Sequence, residues 1–225
     1  MSGRVSFVIP VLNEQLRVAG LLRDLRLRFP DSELIVVDGG SSDATVACAL
    51  PLCNQLLLSE RGRAAQMNMG GQVASSAYVF FLHADSYPGV TANAMALHLS
   101  AQPLWGFSCV RLSGGQFSFR VIEWFMNQRS RLTSVATGDQ MLFVQKNVFD
   151  STGGFDAIPL MEDVAYCKRL RQLARPVIMP EPVHTSSRRW EEGGVVKTVV
   201  RMWLLRLGYF VGVAPQRLWR YYYGQ

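Results

Sequence analysis

Short apolar runs alternate with segments of helical periodicity through the first half of the chain. Val5–Ile9, Leu34–Val37, Gln55–Leu58 and Tyr78–Leu82 are continuous rather than alternating in character, which predicts strands buried on both faces. Between the first two, Leu16, Leu21, Leu22, Leu25 and Phe29 recur at helical spacing and predict a helix over Glu14–Phe29 that stops before Pro30. Shorter helices are predicted over Asp43–Leu50 and Arg63–Ala74, and another over Thr91–Ser100. The resulting β-α-β-α order implies an α/β fold with a mainly parallel sheet and helices on both faces. Such sheets bind ligands at the carboxyl ends of their strands.

The second half is less regular. Trp105–Leu112 and Gln140–Val144 predict strands, and Phe117–Leu132 and Met161–Leu173 predict helices. Val148–Phe155 carries a Gly153-Gly154 turn, and Pro176–Val183 is extended and punctuated by proline. A basic, apolar helix follows Gly193-Gly194. With no internal repeat, the chain divides into one domain over 1–192 and a helical tail over 193–225 packed on that domain.

Composition narrows the class. In 225 residues, 49% are apolar and only 18% charged, enough for a buried core and too apolar for a disordered chain. From Arg188 onward, seven basic and two acidic residues supply +5 of the net +6. The charge is therefore local, unlike a nucleic-acid-binding coat. Four scattered cysteines offer neither zinc-ligand spacing nor a disulfide framework. The opening MSGRVSFVIP lacks the pattern of a signal peptide. In Val195–Val213, the cations Lys197, Arg201 and Arg206 would each cost roughly 2.5–3.5 kcal/mol at a bilayer centre, which argues against a membrane span. These features predict a cytoplasmic protein, soluble or peripheral at the inner membrane face.

Polar residues gather where the strands end: Pro10, Asn13 and Glu14 after the first, Asp38 after the second, Arg63 after the third, His83 and Asp85 after the fourth. No GxGxxG follows the first strand and no GxxxxGK[ST] occurs, so dinucleotide and P-loop sites are disfavoured. Asp85 suits either a hard cation bridging a diphosphate or the cap of the helix that follows. Asp38 suits either a turn or a nucleobase edge, and Asp43 caps Ala44–Leu50. Arg63, beside Gly62 at a helix start, suits a phosphate as well as solvent. Glu162 and Asp163 open a helix, where the dipole stabilises carboxylates and where one can also act as a general base. His184 is a lone candidate metal ligand.

Taken together, FVIPVLNE (7–14), VDGGSSD (37–43), GRAAQMN (62–68), FLHADS (81–86), TGDQ (137–140), GGFD (153–156) and MED (161–163) resemble the family 2 glycosyltransferases of GT-A fold, over about residues 4–190. The GRAAQMN, FLHADS and SRRW elements are most similar to a bacterial subgroup described as radical-SAM-associated or arsenosugar-biosynthesis glycosyltransferases. The resemblance implies an inverting transfer of sugar from a nucleoside-diphosphate sugar, with UDP or GDP, to an acceptor hydroxyl, assisted by Mn²⁺ or Mg²⁺. It places Pro10, Asn13, Glu14, Asp38 and Arg63 around the nucleotide and Asp85 on the metal, at the last position of an Asp-x-Asp motif. Asp163 becomes the catalytic base with Glu162 beside it, and Asp139 and Gln140 lie near the acceptor. His184 takes a further metal-ligand position. Arg188, Arg189 and Trp190 match a late basic-Trp element near the diphosphate and acceptor. His83 departs from the motif, standing where its first acid belongs, and keeps only a hydrogen bond to ribose or phosphate.

Two other functions fit the same residues: a polyprenyl-phosphate glycosyltransferase, whose acceptor needs no strong base, and a catalytically silent nucleotide-sugar binding module. In the tail, Lys197 and Arg201 share one helical face and Arg206 lies roughly opposite. A helix packed in the core or a homodimer and a helix on the membrane surface both fit that imperfect pattern.

Overall fold

The computed structural model describes residues 5–224, the side chains of Arg189, Glu192 and Val196 excepted. The apolar runs form β1 (Val5–Val11), buried along its whole length, β2 (Glu33–Asp38), β3 (Gln55–Leu58) and β4 (Tyr78–Phe81). These lie parallel in the order β3-β2-β1-β4 and are connected through α1 (Val18–Arg28), α2 (Thr45–Ala49) and α3 (Arg63–Val73). Successive strand residues face opposite sides. Phe7 and Ile9 accordingly join a core with Leu21, Leu22 and Leu25 of α1, and Val8 joins a second core with Met67 of α3. The approach of α3 is close: a Cβ on Gly70 would stand 2.4 Å from Val8 Cγ1.

The rest of the sheet is mixed. It is built from β5 (Ser86–Pro88), β6 (Trp105–Leu112), β7 (Phe143–Gln145) and β8 (Val177–Thr185), and continues from β4 in the order β7-β6-β8-β5. The change of direction comes at β7, antiparallel to both β4 and β6, while β6 and β8 run parallel. Around it lie α4 (Ala92–Ser100), α5 (Phe117–Thr133), α6 (Lys146–Thr152), α7 (Glu162–Leu173), α8 (Arg188–Gly193), α9 (Val195–Phe210) and α10 (Pro215–Tyr223). Leu205 of α9 and Leu218 of α10 sit in the same core as Tyr166 and Leu170 of α7. The α/β layering read from the periodicity is the one found.

Three boundaries differ from the sequence expectation. The first helix starts at Val18 rather than Glu14, and Leu16 is 86% exposed instead of packed. The Glu14 amide donates to Thr45 Oγ1 and the Gln15 amide to Asp43, which ties residues 14–17 to the β2 loop as a turn. The strand expected from Gln140 begins at Phe143, because residues 138–140 coil into a 3₁₀ turn and Met141 takes φ 45°. The segment after Val148 is helical from Lys146 and closes at Gly153, whose φ of 74° suits glycine.

Candidate active site

The ends of β1 and β2 are locked to each other. Asn13, at φ 55°, receives the Ser42 amide on its side-chain oxygen at 2.8 Å and gives its own amide to Ser41 Oγ at 2.8 Å. Asp38 is buried, and one carboxylate oxygen accepts the amides of Gly40 and Ser41, both at 2.9 Å, while the other accepts the Ser41 hydroxyl. Its carboxylate therefore shapes the glycine-serine loop. Glu14 is paired with Arg17 at 2.8 Å. Asp43 accepts the Thr45 amide at 2.9 Å, at the first residue of α2, whose N-cap is Ala44 rather than Asp43.

From α3, Gln66 reaches beneath these loops. Its buried Nε2 donates to the carbonyls of Val11 and Val37, each at 2.8 Å, pinning the last residue of β1 to the end of β2. Sequence reasoning singles out Arg63 in GRAAQMN and passes over Gln66. The signal is nonetheless present, as a polar residue on the buried face of a helix otherwise facing the sheet.

Beside the strand ends, a narrow cleft is lined by Pro10, His83, Gly138, Glu162 and Asp163, with Cys167 at its floor. The two carboxylates enter from the first turn of α7, directly after Met161 in the left-handed region. Asp163 Oδ2 accepts the Gly138 amide at 2.9 Å, and Oδ1 accepts the Val164 amide at 2.7 Å. His83 packs on the same loop, so that a Cβ at Gly138 would stand 2.3 Å from its Nε2. A side chain at position 138 would therefore displace the His83 ring. The departure from the Asp-x-Asp motif thus lies against the turn that holds Asp163.

Electrostatics make this pair unusual. Burial, then the neighbouring Asp163 charge, pushes the Glu162 carboxyl up to about 7, against the pull of Arg63. Burial also raises Asp163, with the Asp139 charge adding to it, although the two amide bonds and Arg63 oppose the rise. Arg63 stands more than a third exposed at the edge of the cleft. Desolvation works against its charge, but the fields of Glu162, then Tyr223, Asp139 and Asp163 outweigh it and hold the guanidinium above its usual range. Burial and Asp163 push the Cys167 thiol up to about 12, which keeps it protonated. A pair of carboxylates with raised proton affinity beside an arginine is suited to accepting a proton near neutral pH.

Arg129 on α5 is a second residue the sequence does not single out. Its Nη2 donates to Ser130 Oγ at 2.9 Å, its buried Nε has no hydrogen-bond partner among the described residues, and desolvation draws its pKa down to about 10 despite Asp163 and Asp139. Nothing local distinguishes it from the other basic residues of that helix in the sequence.

Several expected site residues lie outside the lining of this cleft. Gln140, expected near an acceptor, is fully buried: its Oε1 accepts the Thr137 amide and the Ser130 hydroxyl, closing the capping box of the 3₁₀ turn. Trp190 packs with Leu112, Phe119 and Ile122 in a satellite core. Arg188 is exposed at the start of α8, and the Arg189 side chain lies outside the described residues. Asp85 is half-buried, and the Ser86 hydroxyl donates to it at 3.2 Å. His184 is exposed on β8, in register with Tyr87 of β5. Among the described residues, no three His, Cys, Asp or Glu side chains converge on a common metal position.

Residues 6–91 match the family model described as glycosyl transferase family 2. That span includes β1–β4 and the loops around Asn13, Asp38, Arg63 and Asp85. No curated protein matches the chain at the level of sequence. Among solved structures, S. aureus TarS 1-349 superposes with a TM-score of 0.64 at 17% identity, over 82% of this chain and 60% of that one. TarS 1-349 in complex with UDP-GlcNAc gives 0.65 at 16% identity, over 81% of this chain and 58% of that one. The Pyrobaculum calidifontis mannosyltransferase PcManGT, in complex with GDP-Man and Mn²⁺, gives 0.62 at 20% identity, over 82% of this chain and 56% of that one. The chain thus spans about 60% of the length of these structures. The likeness establishes a shared fold.

Proposed function

We propose that the chain is a family 2 glycosyltransferase that inverts the anomeric centre of a nucleoside-diphosphate sugar, with Asp163 as general base. The observation that carries this is the Glu162–Asp163 pair, Glu162 buried and Asp163 half-buried, with raised proton affinity beside strand ends that match the family model. In the transfer, Asp163 takes the proton of the acceptor hydroxyl as its oxygen bonds to the anomeric carbon. The bond from that carbon to the diphosphate breaks, and its electron pair leaves on the diphosphate. Arg63, charged and at the cleft edge, offsets the negative charge developing there. The loops of Asn13 and Asp38 form the nucleotide-facing rim, with Pro10 beneath. Asp139 faces the acceptor side.

Solved relatives of the fold carry UDP-GlcNAc or, in another case, GDP-Man with Mn²⁺. In this chain, a single half-buried carboxylate, Asp85, is the fitting donor for such a cation. Hard divalent ions at diphosphates commonly take one or two carboxylates and complete their shell with phosphate oxygens and water. Bound there, the ion would neutralise charge on the departing diphosphate. The GRAAQMN, FLHADS and SRRW elements support the finer placement in the radical-SAM-associated subgroup.

Thermal denaturation with UDP, GDP and CDP, each with and without Mn²⁺, tests this function. A nucleotide at 100 times its dissociation constant stabilises the fold by about 2.7 kcal/mol. One nucleotide is expected to shift the midpoint with Mn²⁺ present, and Asp85→Ala is expected to abolish the metal dependence. No shift with any of the three would sink it.

A further inference from the structure

Helix α9 has two apolar sides. Leu205 is 1% exposed in the main core, with Met202 and Tyr209 packed against that core, and Val195 and Val199 pack on Leu112, Phe119 and Ile122. On the other side, Val200, Trp203, Leu204, Leu207 and Val211 recur at the spacing of one helical stripe, and each is at least half exposed. At 100° per residue, Lys197 and Arg201 flank that stripe on one side and Arg206 on the other. The irregular pattern seen in the sequence is thus the sum of two apolar faces with cations at their seams. The neighbouring α5 turns Phe119 and Ile122 inward to Val195 and Val199 and leaves Phe117, Trp124, Phe125 and Leu132 exposed. Among the described residues, no helix is long and apolar enough to cross a membrane.

Charge identifies what covers this surface. From Val195 to Gly224 the chain carries five cations and no acidic residue. A second copy meeting the stripe face to face would bring like charges together, which opposes self-association. An anionic lipid surface has the complementary sign, takes up an apolar stripe to the depth of a side chain, and favours tryptophan at its boundary. We propose that α9 docks in the plane of an anionic membrane surface through Val200, Trp203, Leu204 and Leu207. Arg201 donates to the carbonyls of Tyr221 and Tyr222 at the end of α10, and Tyr223 of α10 acts on Arg63.

The inference goes beyond sugar transfer and does not depend on it, since its test needs neither donor nor turnover. The full chain is floated with vesicles of phosphatidylcholine alone and of phosphatidylcholine with phosphatidylglycerol. Recovery with the anionic vesicles only is expected, lost in Trp203→Glu and Leu207→Glu, whose exposed side chains leave the melting temperature unchanged. Lys197→Gln, at the edge of the stripe, should weaken partition about fivefold. Equal recovery in the soluble fraction with both vesicle types, or undiminished flotation of the two Glu variants, would overturn the proposal. So would a dimer in light scattering that Leu207→Glu dissociates, because a second copy would then own the face.

Discussion

The imidazole of His83 rests against Gly138, whose amide in turn donates to Asp163 at 2.9 Å. Gly138→Ala should push His83 and the turn apart and shift the bond to Asp163. The expected result is a loss of about 10–100-fold in kcat, the scale of a misplaced catalytic group, with a smaller effect on melting temperature. Combining it with His83→Ala reopens the space and should restore part of the loss. Strictly additive losses in the double variant would show that the contact is unimportant.

Asp163→Asn keeps the shape of the side chain and removes its basicity. Transfer should fall about 10²–10⁴-fold, the usual contribution of a positioned base. Nucleotide binding measured by calorimetry should change little. Near-normal turnover would reassign the base.

Glu162 gives a pH signature. Its carboxyl titrates at about 7 in the folded chain, against 4.5 for an ordinary glutamate, so the folded form holds the proton more tightly. Stability contributed by that group falls as pH rises from about 4.5 through about 7, because the unfolded chain ionises first. Glu162→Gln should therefore raise stability by about 1–3 kcal/mol near pH 8 and by almost nothing near pH 4. In the same variant, the acidic limb of the kcat profile should stay in place, since burial and the Asp139 charge, rather than Glu162, raise Asp163. Denaturant titration at the two pH values checks the first expectation, and a pH–rate profile the second.

Gln66 joins β1 to β2 through two buried hydrogen bonds. Gln66→Leu leaves the Val37 carbonyl without that donor, while Val11 retains the Gly39 amide at 3.0 Å. Unfolding free energy should drop by about 1–3 kcal/mol. Nucleotide affinity should fall with it, because the loops of Asn13 and Asp38 lose their common anchor. A variant with unchanged affinity would separate the anchor from the rim.

Much of this arrangement is legible in the sequence where one-dimensional patterns decide it. The apolar runs give β1–β4 within one or two residues, and the polar residues after them do lie at the strand ends. Glu162 and Asp163 enter the cleft together, with the charge of Arg63 acting on both. What depends on three-dimensional juxtaposition is hidden. Gln66 and Gln140 are polar in sequence, yet each is buried because carbonyls and hydroxyls from distant segments meet its amide. The three-residue β5 has too little pattern to be recognised and is held by its register with β8. In α9, apolar residues occupy two faces with cations between them, so the pattern alone does not say which face is buried.

The antiparallel seam between β4 and β7 lies between two stretches of chain that supply the site, although β5, from the first stretch, crosses it to pair with β8. Everything on the proposed donor side comes from before residue 91, the limit of the family match, and the carboxylates come from residues 138–163 beyond the seam. On the proposed function, this boundary can be tested by recombination. A chimera that exchanges residues 5–91 for those of a related chain should inherit donor preference from one parent and acceptor preference from the other, provided that the His83–Gly138 contact is kept. Inheritance by halves would also let a lineage change its acceptor while leaving the nucleotide-facing half intact.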